Sequence, residues 1–168
     1  MGVDYVYFLA DDDAAAAAAL TRPGGPLGWP EVTGHRKTGL FRTEPVVTEL
    51  GPGYPAFATR AADPVVALGT LAELLTGVGY DTVQEDPRHG AEVAATPTGD
   101  VVVMTVSDAL REAVAAAGDA RLTEVAEAWS RTEELAHADP ADLLEMLRNL
   151  RDLARHDARA KLYAYLAA

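Results

Sequence analysis

The chain of 168 residues carries 26 acidic against 14 basic side chains, a formal net charge of -12 at pH 7, and no cysteine. Without cysteine there is no disulfide scaffold, thiol nucleophile, zinc ribbon or iron–sulfur cluster, and an acidic excess opposes the phosphate contacts on which nucleic-acid binding depends, so no nucleic-acid partner is expected. No apolar run reaches the ~18 residues of a membrane span, and Met1-Gly2-Val3-Asp4 lacks the basic-then-apolar pattern of a secretion signal, so no membrane partner and a cytoplasmic location are expected.

The length suits one domain, expected over residues 1–168, and is large enough to bury a core without disulfide, metal or partner. Alanine makes up 33 positions and isoleucine none, so leucine, valine and three phenylalanines must supply that core.

In chain order, Val3 to Ala10 sets Tyr5, Tyr7 and Leu9 on one face and Val6 and Phe8 on the other, which predicts a buried first strand. Asp11-Asp12-Asp13 leads into six alanines and Leu20, a helix with acids at its positive end. The Pro- and Gly-rich stretch from Thr21 to Pro30 ends it in a loop. From Glu31 to Arg60 the signal is weak, with strand patterns at Pro45 to Leu50 and Ala56 to Arg60. Asp63-Pro64 predicts a helix start, with Val65, Leu68, Leu71, Leu74 and Leu75 facing the core and Gly77 as the stop. Ala91 to Thr96 and Val101 to Val106, joined by Pro97-Thr98-Gly99-Asp100, form the clearest hairpin. Ser107 caps a helix to Gly118, a second runs from Arg121 to Leu135, and Asp139-Pro140 opens a longer one with Leu143, Leu144, Leu147, Leu150 and Leu153 inward. Lys161 to Ala168 alternates leucine and alanine against tyrosine, a last strand expected beside the first. The fold class is α+β, with a largely antiparallel sheet of about four to six strands, helices mainly on one face and a helix-rich C-terminal half.

Few constellations suggest chemistry. Asp11 to Asp13 lie where magnesium-binding carboxylates sit in some enzymes, but no glycine-rich phosphate loop accompanies them, and capping explains them. His35-Arg36-Lys37 is the densest positive cluster. With Trp29 and Tyr54 as apolar walls it forms the candidate ligand site, read as lying in a loop. His35, His89, His137 and His156 are scattered without metal-ligand spacing, and Ser107 and Ser130 lack a nucleophile motif, so neither catalytic residues nor metal nor cofactor are expected. Glu124, Glu127, Glu133, Glu134, Asp142 and Glu145 alternate with Arg121, Arg131 and Arg148 as a solvated face would. The acidic surplus makes Glu124, Glu127, Glu133 and Glu134 the candidate partner-facing residues.

The opening Met1-Gly2-Val3-Asp4-Tyr5-Val6-Tyr7 and the closing Lys161-Leu162-Tyr163-Ala164-Tyr165-Leu166 resemble the ends of a group of actinobacterial proteins. With Leu74-Leu75-Thr76-Gly77 ending a helix, the chain is also similar to the YfbM-like family, departing from it between Pro23 and Pro55. The resemblance implies an α+β domain and carries over no site residues. The function expected is a non-enzymatic binding or regulatory module of the immunity or inhibitor kind for a basic protein partner, because steered association rewards negative charge. The alternative is a small-molecule binder or hydrolytic enzyme with its site between Trp29 and Tyr54.

Overall fold

The computed structural model describes residues 4–28, 31–39, 43–48 and 53–167. Its centre is a five-stranded sheet in the order β4-β1-β7-β6-β5, antiparallel at every pairing. The strands are β1 (Asp4–Ala10), β4 (Ala56–Thr59), β5 (Glu92–Ala95), β6 (Val101–Thr105) and β7 (Lys161–Ala167). The alternation at the C-terminal end yields the middle strand of the sheet. It lies beside β1 with Tyr7 opposite Ala164 and Leu9 opposite Leu162, as the sequence predicts.

The two-residue period of each strand then divides the core. Tyr7, Leu9, Leu162 and Ala164 face one side, where α2 (Val66–Thr76), α4 (Asp108–Ala116), α5 (Asp119–Trp129) and α6 (Pro140–His156) bury Leu68, Leu71, Leu110, Leu122, Trp129, Leu143, Leu147 and Leu150 against them. Each such side chain withdrawn from water stabilises the fold by roughly 1.5–3 kcal/mol before the entropy of ordering is counted. The polar atoms carried inward are matched: the Tyr7 hydroxyl donates to the Ala62 carbonyl at 2.9 Å and the Trp129 indole N–H to that of Ala67 at 3.1 Å. On the opposite face Phe8, Val103 and Tyr163 pack with Ala16 and Ala19 of α1 (Asp13–Ala18) and the 3-10 turn Ala19–Thr21. The polyalanine helix is therefore the exception to helices on a single face. Its small side chains let the backbone lie close to the aromatic ones.

The helix start at Ser107 carries the cap that the sequence predicts, whereas α2 begins at Val66 after Val65, with Asp63 and Pro64 in the turn that leads into it. Ser107 Oγ accepts the N–H of Leu110 at 3.2 Å, and the Asp63 carboxylate accepts those of Val65, Val66 and Ala67 at 2.9, 2.7 and 3.1 Å. Gly77 ends α2 with φ at 73°, a left-handed conformation that a side chain would oppose.

Three stretches differ from expectation. β2 (Glu31–Lys37) pairs with β3 (Thr43–Thr48) in a separate two-stranded sheet, so the His35 segment is a strand and not a loop. Its pattern is obscured by Gly34 and by a register shift between Val32 and Gly34. Tyr80–Gln84 forms a short helix, α3, which has too few residues for an apolar period to register. The helix expected from Arg121 to Leu135 stops at Trp129, with a 3-10 turn at Glu133–Leu135. There the hydroxyls of Ser130 and Thr132 donate back to the carbonyls of Glu127 and Trp129, an alternative to the helical ladder.

Candidate functional site

The charges of the helical layer are arranged asymmetrically. Three arginines are drawn into the protein's own backbone, while Arg131 and Arg148 are exposed: Arg111 donates to the carbonyls of Ala154 and Asp157, Arg121 to Leu74, and Arg155 to Ala115 and Ala117. Most of these carbonyls lie in or just past the last turns of helices, where orphan acceptors and the negative dipole end favour a cation. Arg151 reaches Asp119 at 2.6 Å. That contact holds the Asp119 carboxyl below the usual carboxylate range, first through the hydrogen bond and then through the charge.

The acids are left outward. Glu124, Glu127, Glu133 and Glu134, the four expected to face a partner, are all exposed along α5 and the 3-10 turn, and so are Asp142 and Glu145 in the first turns of α6. Glu124 pairs with Arg121 at 3.3 Å across one helical turn, an exposed contact worth little. From the sequence alone Asp142 and Glu145 belong only to a solvated face. Their position matters because they line a hollow of about 160 Å3 with Phe57, Met146 and Asn149, beside β4. Across the sheet from it, Val6, Leu27, Ala58, Tyr165 and Ala167, with Thr59 and Arg60 at its polar side, line a larger, mainly apolar groove of about 510 Å3. Burial raises the Tyr165 hydroxyl's pKa.

The second polar cluster joins distant parts of the chain. Tyr163 donates its hydroxyl to Asp13 Oδ1 at 2.7 Å, and Arg88 Nη1 donates to the same oxygen at 3.1 Å. The guanidinium lies over the Tyr163 ring at 5.4 Å, with its Nε 3.5 Å from Asp108. Burial, followed by the bond to Asp13, pushes the Tyr163 hydroxyl up to about 12. The Asp13 carboxyl is lowered by the Tyr163 hydrogen bond and then by Arg88. Burial works against the Arg88 charge, but Asp13 and Tyr163 outweigh it and hold its pKa up. In this group the tyrosine keeps its proton, the carboxylate its charge and the guanidinium its own, so it ties α1 to the sheet. Asp12 takes the role of cap, accepting from the Ala15 N–H at 2.8 Å.

Among the described residues, those expected to form a ligand site lie in two segments, β2 and the stretch before β4. His35, Arg36 and Lys37 are exposed on β2, while Trp29 lies outside the described residues. Tyr54 is turned inward: its hydroxyl donates to the Ala15 carbonyl at 2.7 Å and its ring meets Phe8 edge-on. It lines a hollow of about 240 Å3 with Asp11 and Arg22. Of the remaining histidines, His137 and His156 are exposed, and His89 is buried with Nε2 2.9 Å from the Val65 carbonyl oxygen and 3.0 Å from Gln84 Nε2. Among the described residues no group of three or more histidine or acidic side chains is disposed to hold a metal ion. Ser107 is buried as a cap, and Ser130 is bonded to a helix carbonyl.

No family model, curated protein or solved structure matches the chain. Its own geometry therefore has to carry the functional argument.

Proposed function

We propose that the chain is a non-enzymatic binding or regulatory module, of the immunity or inhibitor kind, whose acidic helical face receives a basic protein partner. The observation that supports this reading is the division of labour among the charges. Arg111, Arg121, Arg151 and Arg155 are committed to intramolecular acceptors, while Glu127, Glu133, Glu134, Asp142 and Glu145 stand exposed on neighbouring elements. A surface with a surplus of one sign, here interrupted by the exposed Arg131 and Arg148, attracts an oppositely charged partner over about a Debye length and accelerates encounter, and its effect falls with salt.

The test is capture from the native host with the wild-type protein and with the E124Q/E127Q/E133Q/E134Q variant. A partner of basic composition, retained by the wild type at low salt, released progressively between about 50 and 300 mM NaCl, and lost with the variant, is the expected result. A partner retained equally by both proteins and indifferent to ionic strength overturns the reading.

A further inference from the structure

The two edges of the sheet are finished differently. At one, β5 carries a register shift between Glu92 and Ala94, the kind of irregularity that blunts an edge against further pairing. At the other, β4 runs in unbroken register with β1 from Thr59 opposite Tyr5 to Ala56 opposite Phe8, and it contains neither proline nor charge. Among the described residues no strand pairs with its outer side.

The direction of its backbone groups follows from one bond. The Leu9 N–H donates to the Pro55 carbonyl at 3.0 Å, which makes that a hydrogen-bonded pair. Antiparallel alternation then turns Phe57 and Thr59 toward β1 and directs the backbone N–H and C=O of Ala56 and Ala58 outward. Two hollows flank this edge. Beside Ala58, the apolar groove with Val6, Leu27 and Tyr165 lies on one face of the sheet, and the smaller hollow with Asp142 and Glu145 lies on the other.

We propose that the outer edge of β4 accepts an extended segment of a partner protein, adding a strand to the sheet, and that the segment alternates apolar and basic residues. Side chains of a strand point alternately to the two faces. A segment paired with β4 therefore sends one set into the apolar groove and the other toward Asp142 and Glu145, where opposite charge selects lysine or arginine. Main-chain bonds to Ala56 and Ala58 supply affinity and the two hollows supply specificity, the logic of strand addition. The inference rests on the reading of the chain as a receiver of basic partners and places the point of contact. It can fail while that reading stands, because its test perturbs Asp142, Glu145 and β4 and leaves the glutamates of α5 and the following turn unchanged.

The test uses a fluorescein-labelled, terminally blocked peptide of six alternating lysine and valine residues, titrated into the full chain at low salt and followed by anisotropy and amide chemical shifts. Saturable binding with shifts centred on Ala56 and Ala58 is expected. D142N/E145Q should weaken it about fivefold to tenfold, the effect of two exposed charge contacts. A58P removes an outward N–H without breaking a bond to β1 and should weaken it at least tenfold. A peptide N-methylated on the paired face should show the same loss with the unaltered protein, whatever A58P does to folding. Equal binding by the N-methylated peptide or by one with glutamate in place of lysine overturns the proposal. So does a concentration-dependent dimer of the wild type that blocks the peptide and disappears in A58P, which would assign the edge to a second copy of the chain.

Discussion

Asp13 shows how much a single side chain can join: it receives Tyr163 from the middle strand and Arg88 from the turn before β5, although its own side chain is 58% exposed. Because that exposure screens the ion pair, the hydrogen bonds matter more than the charge. Replacing the carboxylate by an amide (D13N) should cost about 1 kcal/mol at pH 6, and Y163F a similar amount. The pH dependence has a definite sign. A carboxyl whose pKa is lower in the folded state adds stability above its unfolded value, near 4, and loses that contribution as pH falls through the folded value. Urea titrations of wild type and D13N should therefore differ most near pH 6 and converge toward pH 3. A gap that stays constant over this range would mean that the amide acts through altered hydrogen-bond geometry with Tyr163 and Arg88 and not through charge. None of this network is visible in the sequence, because Arg88 and Tyr163 lie 75 and 150 positions from Asp13 and share no local pattern with it.

Elements were legible where their signals are local. Ser107, Asp139 and Gly77 each mark a boundary through a side chain or conformation acting within a few residues and are found at helix ends, and Asp63 bonds the N–H groups of the turn that leads into α2. S107A should cost about 1 kcal/mol, and D63A somewhat more because three N–H groups lose their acceptor, measured as shifts of the urea midpoint at constant slope. The link between α5 and α2 is a tertiary counterpart. Trp129 is fully buried and bonded to Ala67, so W129F should be destabilising by roughly 1–3 kcal/mol and W129A by about 3–5 kcal/mol. A smaller loss for W129A would show that the helices collapse into the space. The failures have the opposite character. The pairing of β2 with β3 depends on a partner strand and a shifted register, and the end of α5 on back-bonding hydroxyls in a sequence that remains helix-compatible. Of the candidate site, the exposure of Glu124 and Glu127 was readable from helical periodicity, while that of Glu133 and Glu134 comes from a 3-10 turn that the periodicity did not show. The neighbourhood of Asp142 and Glu145 was not, because β4 reaches α6 only through the tertiary fold.

At the scale of the whole molecule, the net charge of -12 sets self-repulsion against a limited number of local pairs. Those pairs include Asp119 with Arg151, Asp13 with Arg88 and Glu124 with Arg121, and each has at least one well-exposed member. Salt therefore acts in two directions, weakening attractive contacts that are each worth less than about 1 kcal/mol and relaxing repulsion summed over the acidic surface. The second effect should win, since the arginine contacts to helix carbonyls are shielded by the chain itself while the surplus carboxylates face solvent. Raising NaCl from about 10 to 200 mM at pH 7 is expected to increase Tm by a few degrees. The E124Q/E127Q/E133Q/E134Q variant, carrying four fewer negative charges, should start higher and gain less. A Tm that falls with salt in both proteins would mean that the attractive pairs dominate, and would remove the unbalanced surface charge on which recognition of a basic partner depends.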